Sequence, residues 1–101
     1  MIQEQLAFLP GSLPDYQPFP PAKERAAWQA LPLRAKQRFL QAGETALQTS
    51  LAPLPLTLWL DFPRTGRRTA WETAYFSRRA RLCALVCAEC VEHKGRFLDA
   101  I

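Results

Sequence analysis

Six arginines, Arg64, Arg67, Arg68, Arg78, Arg79 and Arg81, fall within eighteen residues that contain a single acid, Glu72. A planar guanidinium offers paired N–H donors that match the geometry of carboxylate, sulfate and phosphate. A cluster of this sign and density draws anions toward it. Arg67 and Arg68 precede a long helical pattern and Arg78 lies two to three turns into it, which makes these three the candidate anion-binding residues. The sequence supports a second use equally: the same side chains pairing internally with Glu72, Glu89 or Asp61 and holding the helix in place.

Three cysteines invite a metal reading and do not sustain it. Cys83, Cys87 and Cys90 have the spacing of loops that wrap three thiolates around an iron–sulfur cluster. Here they fall at i, i+4 and i+7 of one helical pattern, too far apart along a straight helix for a compact cluster. His93 lies about 80° away from their stripe at helical spacing. Small buried hydrophobes are the better reading. Tyr75 falls on an apolar stripe and is expected in the core with its hydroxyl at the rim. His93 belongs to a helix C-terminus, where a cation favours the dipole. No catalytic residue, no metal and no cofactor are therefore expected.

The elements that place these residues begin with a proline-rich arm over residues 1–21, laid on the surface by Leu6, Phe8, Leu9, Tyr16 and Phe19. Proline fixes φ and removes a donor, so regular structure is excluded there. Residues 22–101 form a helical domain. A first helix is expected over about 22–30, opened by Pro21 and anchored by Trp28, since proline is tolerated at a first helical position. A second spans about 32–49, with a possible break at Gly43, where glycine costs roughly 1 kcal/mol against alanine. Pro53 and Pro55 then exclude a central strand and suggest an extended, buried connector over about 51–62. In it, Leu54, Leu56, Leu58 and Leu60 share one face.

A turn at Pro63–Gly66 leads into a helix over about 70–94, roughly 36 Å long. Thr69 and Glu72 have the spacing of a capping box, and Gly95 is the expected residue after the helix. A short helix over about 96–101 closes the chain. On the long helix, Trp71, Tyr75, Leu82, Leu85, Val86 and Glu89 form one stripe. Ala80, Cys83, Ala84, Cys87, Ala88 and Val91 form a second of small residues. A helix apolar on most sides packs between neighbours, and 101 residues supply few of them.

A net charge of +4 is modest, and 49% hydrophobic residues argue against disorder. Met1–Ser12 lacks the basic and apolar regions of a secretory signal. No apolar run approaches the ~20 residues of a membrane span. Three clustered cysteines are not a disulfide framework, and a reducing, cytoplasmic setting follows. Nucleic acid is not an expected partner, because aromatic and basic residues are not interleaved on one face and no reading motif is present.

Several of these residues recur together in a known pattern. Phe19–Pro21 precedes the charged segment Lys23–Trp28, and a Leu-Pro-Leu connector leads to Leu60–Arg68. Glu72, Tyr75-Phe76, Arg78-Arg79 and Leu82 follow, then Ala88-Glu89-Cys90 and Gly95–Asp99. The chain thus resembles the N-terminal helical region of the heparinase II/III-like polysaccharide lyases over residues 18–101. The resemblance implies an all-α fold, a helical-hairpin segment at the start of an (α/α) toroid, followed by β-sandwich domains in one longer polypeptide. It also implies β-elimination across uronic-acid linkages in acidic polysaccharides. In the family, the residues that neutralise the carboxylate and move the protons come after this segment, beyond a Trp-Pro-Ala-His tract that would follow Ile101. None carries over to a position here.

The resulting expectation is a non-catalytic portion of the toroid wall, inactive by itself. Its partners would be the remainder of the parent polypeptide and an acidic polysaccharide held by arginines. The competing expectation is a standalone helical interaction module that self-associates through its small-residue stripe.

Overall fold

A computed structural model describes residues 17–101. The expected surface contacts of Leu6, Phe8, Leu9 and Tyr16 lie outside the described residues. Those described are helical, with four α-helices and a closing 3-10 turn: α1 Arg25–Gln29, α2 Leu33–Gln48, α3 Leu56–Thr65, α4 Thr69–Glu92 and the turn Leu98–Ala100. The all-α expectation holds.

Pro21 and Ala22 do not open α1. They form a turn in which the Glu24 N–H donates to the Pro21 carbonyl at 3.0 Å. Trp28 does anchor the segment: it is buried and its indole N–H donates to the same carbonyl at 3.2 Å. Phe19, expected against the surface, is 72% exposed. Pro32 precedes α2 with φ −54° and ψ 143°, a geometry proline presets. The helix then runs unbroken through Gly43.

Gly43 is retained for space rather than flexibility. A Cβ there would overlap the Ala88 Cβ and come within 2.9 Å of the Phe97 ring. Arg25 meets Cys90, Gly43 meets Ala88, and Thr49 meets Arg81. The chain numbers rise on one side and fall on the other, so α2 and α4 form an antiparallel hairpin. Ala46, Leu85, Ala88 and Phe97 are the centre of its core, with Leu40, Leu47, Ala84 and Ala100 at the margin.

The expected connector over 51–62 is corrected. Residues 51–55 are irregular, but Leu56–Thr65 is helical. Pro55 sits just before the first turn, where its fixed φ costs nothing, and Pro63 lies in the last turn, where it removes the one helical donor that would face the Trp59 carbonyl. Gly66 ends α3 at φ 75°, its N–H donating to the Phe62 carbonyl at 2.8 Å. Leu54 stays in the irregular segment, and the three leucines wound into the helix no longer share a face: Leu56 is exposed, and Leu58 and Leu60 are half-buried.

At the start of α4 the capping box does not form. Thr69 is already helical and makes no cap hydrogen bond, while Glu72 pairs with Arg68 at 3.0 Å. The helix stops at Glu92, two residues before the expected Lys94, because His93 rather than Gly95 first takes the left-handed conformation, at φ 56°. The buried Glu89 carboxylate explains the sharp stop. It accepts from the Gly95 N–H at 2.7 Å and the Phe97 N–H at 3.2 Å, folding the chain back over the helix end. That fold-back carries Phe97 into the core, and the expected helix over 96–101 shrinks to a 3-10 turn.

The main stripe of α4 is divided. Leu85 and Glu89 are buried, whereas Tyr75, Leu82 and Val86 are exposed. On the small-residue stripe, Ala88 is fully buried against α2, while Ala80 and Cys83 face solvent.

Candidate functional site

Three arginines, Arg25, Arg78 and Arg81, donate to the fold's own carbonyls. Carbonyls at a helix C-terminus lack intrahelical donors, and a guanidinium supplies several at once. Arg25 donates to Cys90 O at 2.7 Å and Val91 O at 3.1 Å, at the end of α4, and to Ala22 O at 2.8 Å. Arg81 bridges Thr49 O and Ala100 O, each at 3.1 Å, tying the end of α2 and the C-terminal turn to α4. Arg78 donates to Ala52 O at 2.7 Å and so fastens the irregular segment before α3.

The three candidate anion-binding residues do not converge. Arg78 lines an open groove of about 310 Å³ with Leu51, Leu54, Arg79, Arg81 and Ile101. Arg68 lines a different groove and is paired with Glu72. Arg67 sits in the turn between α3 and α4, exposed, its backbone N–H donating to Thr65 Oγ1 at 3.2 Å. Of the acids expected as internal partners, Glu72 alone takes an arginine from the cluster among the described residues. Glu89 serves backbone N–H groups instead, and Asp61 accepts from the Thr65 hydroxyl at 3.1 Å.

The groove that holds Arg68 is aromatic and was not legible in the sequence. It measures about 320 Å³ and is lined by Trp59, Phe62, Trp71, Tyr75 and Phe76, with the Arg68–Glu72 pair at its edge. Trp59 meets Trp71 edge-on at 5.1 Å between ring centres and 71°. Trp71 stacks on Tyr75 at 6.0 Å and 14°, and the Arg79 guanidinium lies 5.6 Å from the Tyr75 ring centre. Tyr75 is therefore a surface ring within a cluster and not a core residue. Trp59 and Phe62 at i and i+3, facing Trp71 and Tyr75 at i and i+4, were the available signal. It becomes readable only once residues 56–65 are taken as a helix.

Arg96 is a second residue that sequence reasoning missed. It pairs with Glu44 of α2 and with Glu92 of α4 at 3.0 Å, and it lies over the Phe97 ring at 4.5 Å. The Arg96 hydrogen bonds hold the Glu92 carboxyl below its ordinary value, and the pairing holds the guanidinium above its own. A carboxylate depressed in the folded state stabilises above its unfolded pKa and loses that contribution as pH falls through the folded one. Glu92→Gln should accordingly flatten the acid limb of a melting-temperature profile below about pH 4.5. An unchanged acid limb would show that the pair contributes nothing there.

No group of three His, Cys, Asp or Glu side chains among the described residues is placed to hold a metal ion. The three cysteines are free thiols, Cys83 exposed and Cys87 and Cys90 half-buried. Desolvation pushes the Cys87 and Cys90 thiols up, assisted for Cys87 by its neighbouring cysteines. A raised thiol holds less thiolate, the reactive form. Iodoacetamide at pH 8 should therefore label Cys83 first, with Cys87 and Cys90 several-fold slower by peptide mass spectrometry. Equal rates at all three would contradict this packing.

No helix among the described residues is long and apolar enough to cross a membrane. Compared with protein-family models and with curated proteins, the sequence matches none of them.

Proposed function

We propose that this chain is a non-catalytic helical portion of a heparinase II/III-like polysaccharide lyase, part of the wall of an (α/α) toroid. The observation that supports the reading is the antiparallel packing of α2 on α4, with α3 on the connection between them, since such a toroid is built from antiparallel helices. The residues that carry the sequence resemblance also hold this hairpin together. Arg25 and Trp28 fasten its open end, Glu89 and Gly95 turn the chain back, and Phe97 fills the core. In this role Arg78 is a strut, Arg68 is exposed but paired with Glu72, and Arg67 is exposed to an acidic polysaccharide without a carboxylate partner among the described residues. The parent enzyme would cleave uronate linkages by elimination, with catalytic groups supplied from outside this chain.

The test is to incubate the chain with heparan sulfate and alginate and follow the ultraviolet absorbance of the unsaturated uronate product. No product is expected. Turnover by this chain alone would overturn the non-catalytic assignment.

A standalone helical interaction module is the second reading. It is favoured by the exposure of Tyr75, Phe76, Leu82 and Val86 along α4. The small-residue stripe is a poor dimer seam, since Ala88 already packs on Gly43. Any such contact would use the aromatic side.

A further inference from the structure

We propose that the groove between α3 and α4 docks an acidic amphipathic helix of a partner polypeptide, whose apolar side chains seat among Trp59, Trp71 and Tyr75. The inference does not rest on the lyase reading. Trp59, Phe62 and Phe76 are each more than half exposed (56%, 55% and 55%) and line one concave site of about 320 Å³, Trp59 against Trp71 and Phe76 against Tyr75. Covering such rings removes apolar surface from water at roughly 25 cal/mol per Å², and clustered aromatics are common anchors of protein interfaces. Trp59, Trp71 and Tyr75 are in ring contact, with centres 5.1 and 6.0 Å apart, and together offer an apolar surface to the apolar face of a partner helix.

Charge selects the occupant. Residues 56–82 hold six arginines against Asp61 and Glu72, a net +4 that equals the charge of the whole chain. Arg64, Arg67 and Arg79 are exposed and have no carboxylate partner among the described residues. A second copy would set the same positive face against itself, whereas an acidic helix would place carboxylates over these guanidiniums. The groove is concave and bounded by two helices.

The test is fluorescence titration of the chain with two synthetic amphipathic peptides of about twenty residues. They share leucines on one face and carry either glutamates or lysines on the other. The glutamate peptide should bind at least tenfold more tightly, and its affinity should fall as salt rises. Trp59→Ala should weaken it about tenfold or more. Arg79→Glu should weaken it as well, with the far-ultraviolet circular dichroism of both variants unchanged. Equal binding of the two peptides, or no binding by the folded chain, would overturn the proposal. So would binding confined to phosphatidylglycerol vesicles, which assigns the face to a membrane. Self-association that Trp59→Ala abolishes would assign it to a second copy.

Discussion

Phe97→Ala should lower the stability of the chain by about 3–5 kcal/mol at 25 °C. Phe97 is fully buried, and its ring fills the space that Gly43 leaves open beside Ala88. Its backbone N–H donates to the Glu89 carboxylate at 3.2 Å, so the residue joins the core to the fold-back at the end of α4. Truncating a buried phenylalanine costs about 3–5 kcal/mol. Among the described residues the apolar core holds five buried side chains, Trp28, Ala46, Leu85, Ala88 and Phe97. A domain this small has a total stability of about 5–10 kcal/mol, and the loss of Phe97 removes a large part of it. Urea unfolding followed by circular dichroism reads the effect directly. A variant that keeps a cooperative transition within about 1 kcal/mol of the parent would show that the core lies elsewhere.

Gly43→Ala should also destabilise, against the usual direction of glycine-to-alanine changes within a helix. Propensity alone favours alanine by about 1 kcal/mol. The new methyl, however, overlaps the Ala88 Cβ, which is fixed to the α4 backbone and cannot rotate away. The helices must part, and overpacking of this kind costs about 1–3 kcal/mol. The net result should be a loss of up to about 2 kcal/mol, and Gly43→Leu should lose more. Adding Ala88→Gly should restore stability beyond the sum of the single changes, since residues in contact couple. Additive effects, or a Gly43→Ala variant more stable than the parent, would mean that α2 and α4 are not in close contact at this point.

The sequence and the fold agree where one local signal decides the outcome. Pro32 marks the start of α2, Trp28 the anchor of α1, and the mixed apolar stripes of α4 its length, because each depends on spacing within a few residues. Where neighbouring signals compete, the reading fails. Pro53 and Pro55 suggested an extended connector over 51–62, but Pro55 precedes a helix and Gly66 ends it. The helix so bounded packs on α4. The Thr69–Glu72 spacing suggested a cap, but Arg68 competes for the same carboxylate at closer range. The end of α4 was misplaced by two residues because Glu89, a side chain of the helix itself, decides it.

The candidate site was legible in part, for the same reason. Arginine density at 64–81 is plain in the sequence. The destination of each guanidinium depends on which carbonyls the fold brings near. Arg25 reaches Cys90 across 65 positions and Arg78 reaches Ala52 across 26, separations over which spacing says nothing. Arg67, Arg68 and Arg78 therefore have separate surroundings despite their proximity in sequence. The aromatic groove brings Trp59 and Phe62 of α3 against Trp71, Tyr75 and Phe76 of α4, beside the Arg68–Glu72 pair.

A helical piece of a longer lyase is tested most directly by the coding frame that follows the Ile101 codon. The frame should continue for several hundred codons and soon encode a tract resembling Trp-Pro-Ala-His, with further helical hairpins after it. A stop codon at that point, or a continuation without such a tract, would contradict the toroid assignment and leave the antiparallel hairpin as an interaction module in its own right.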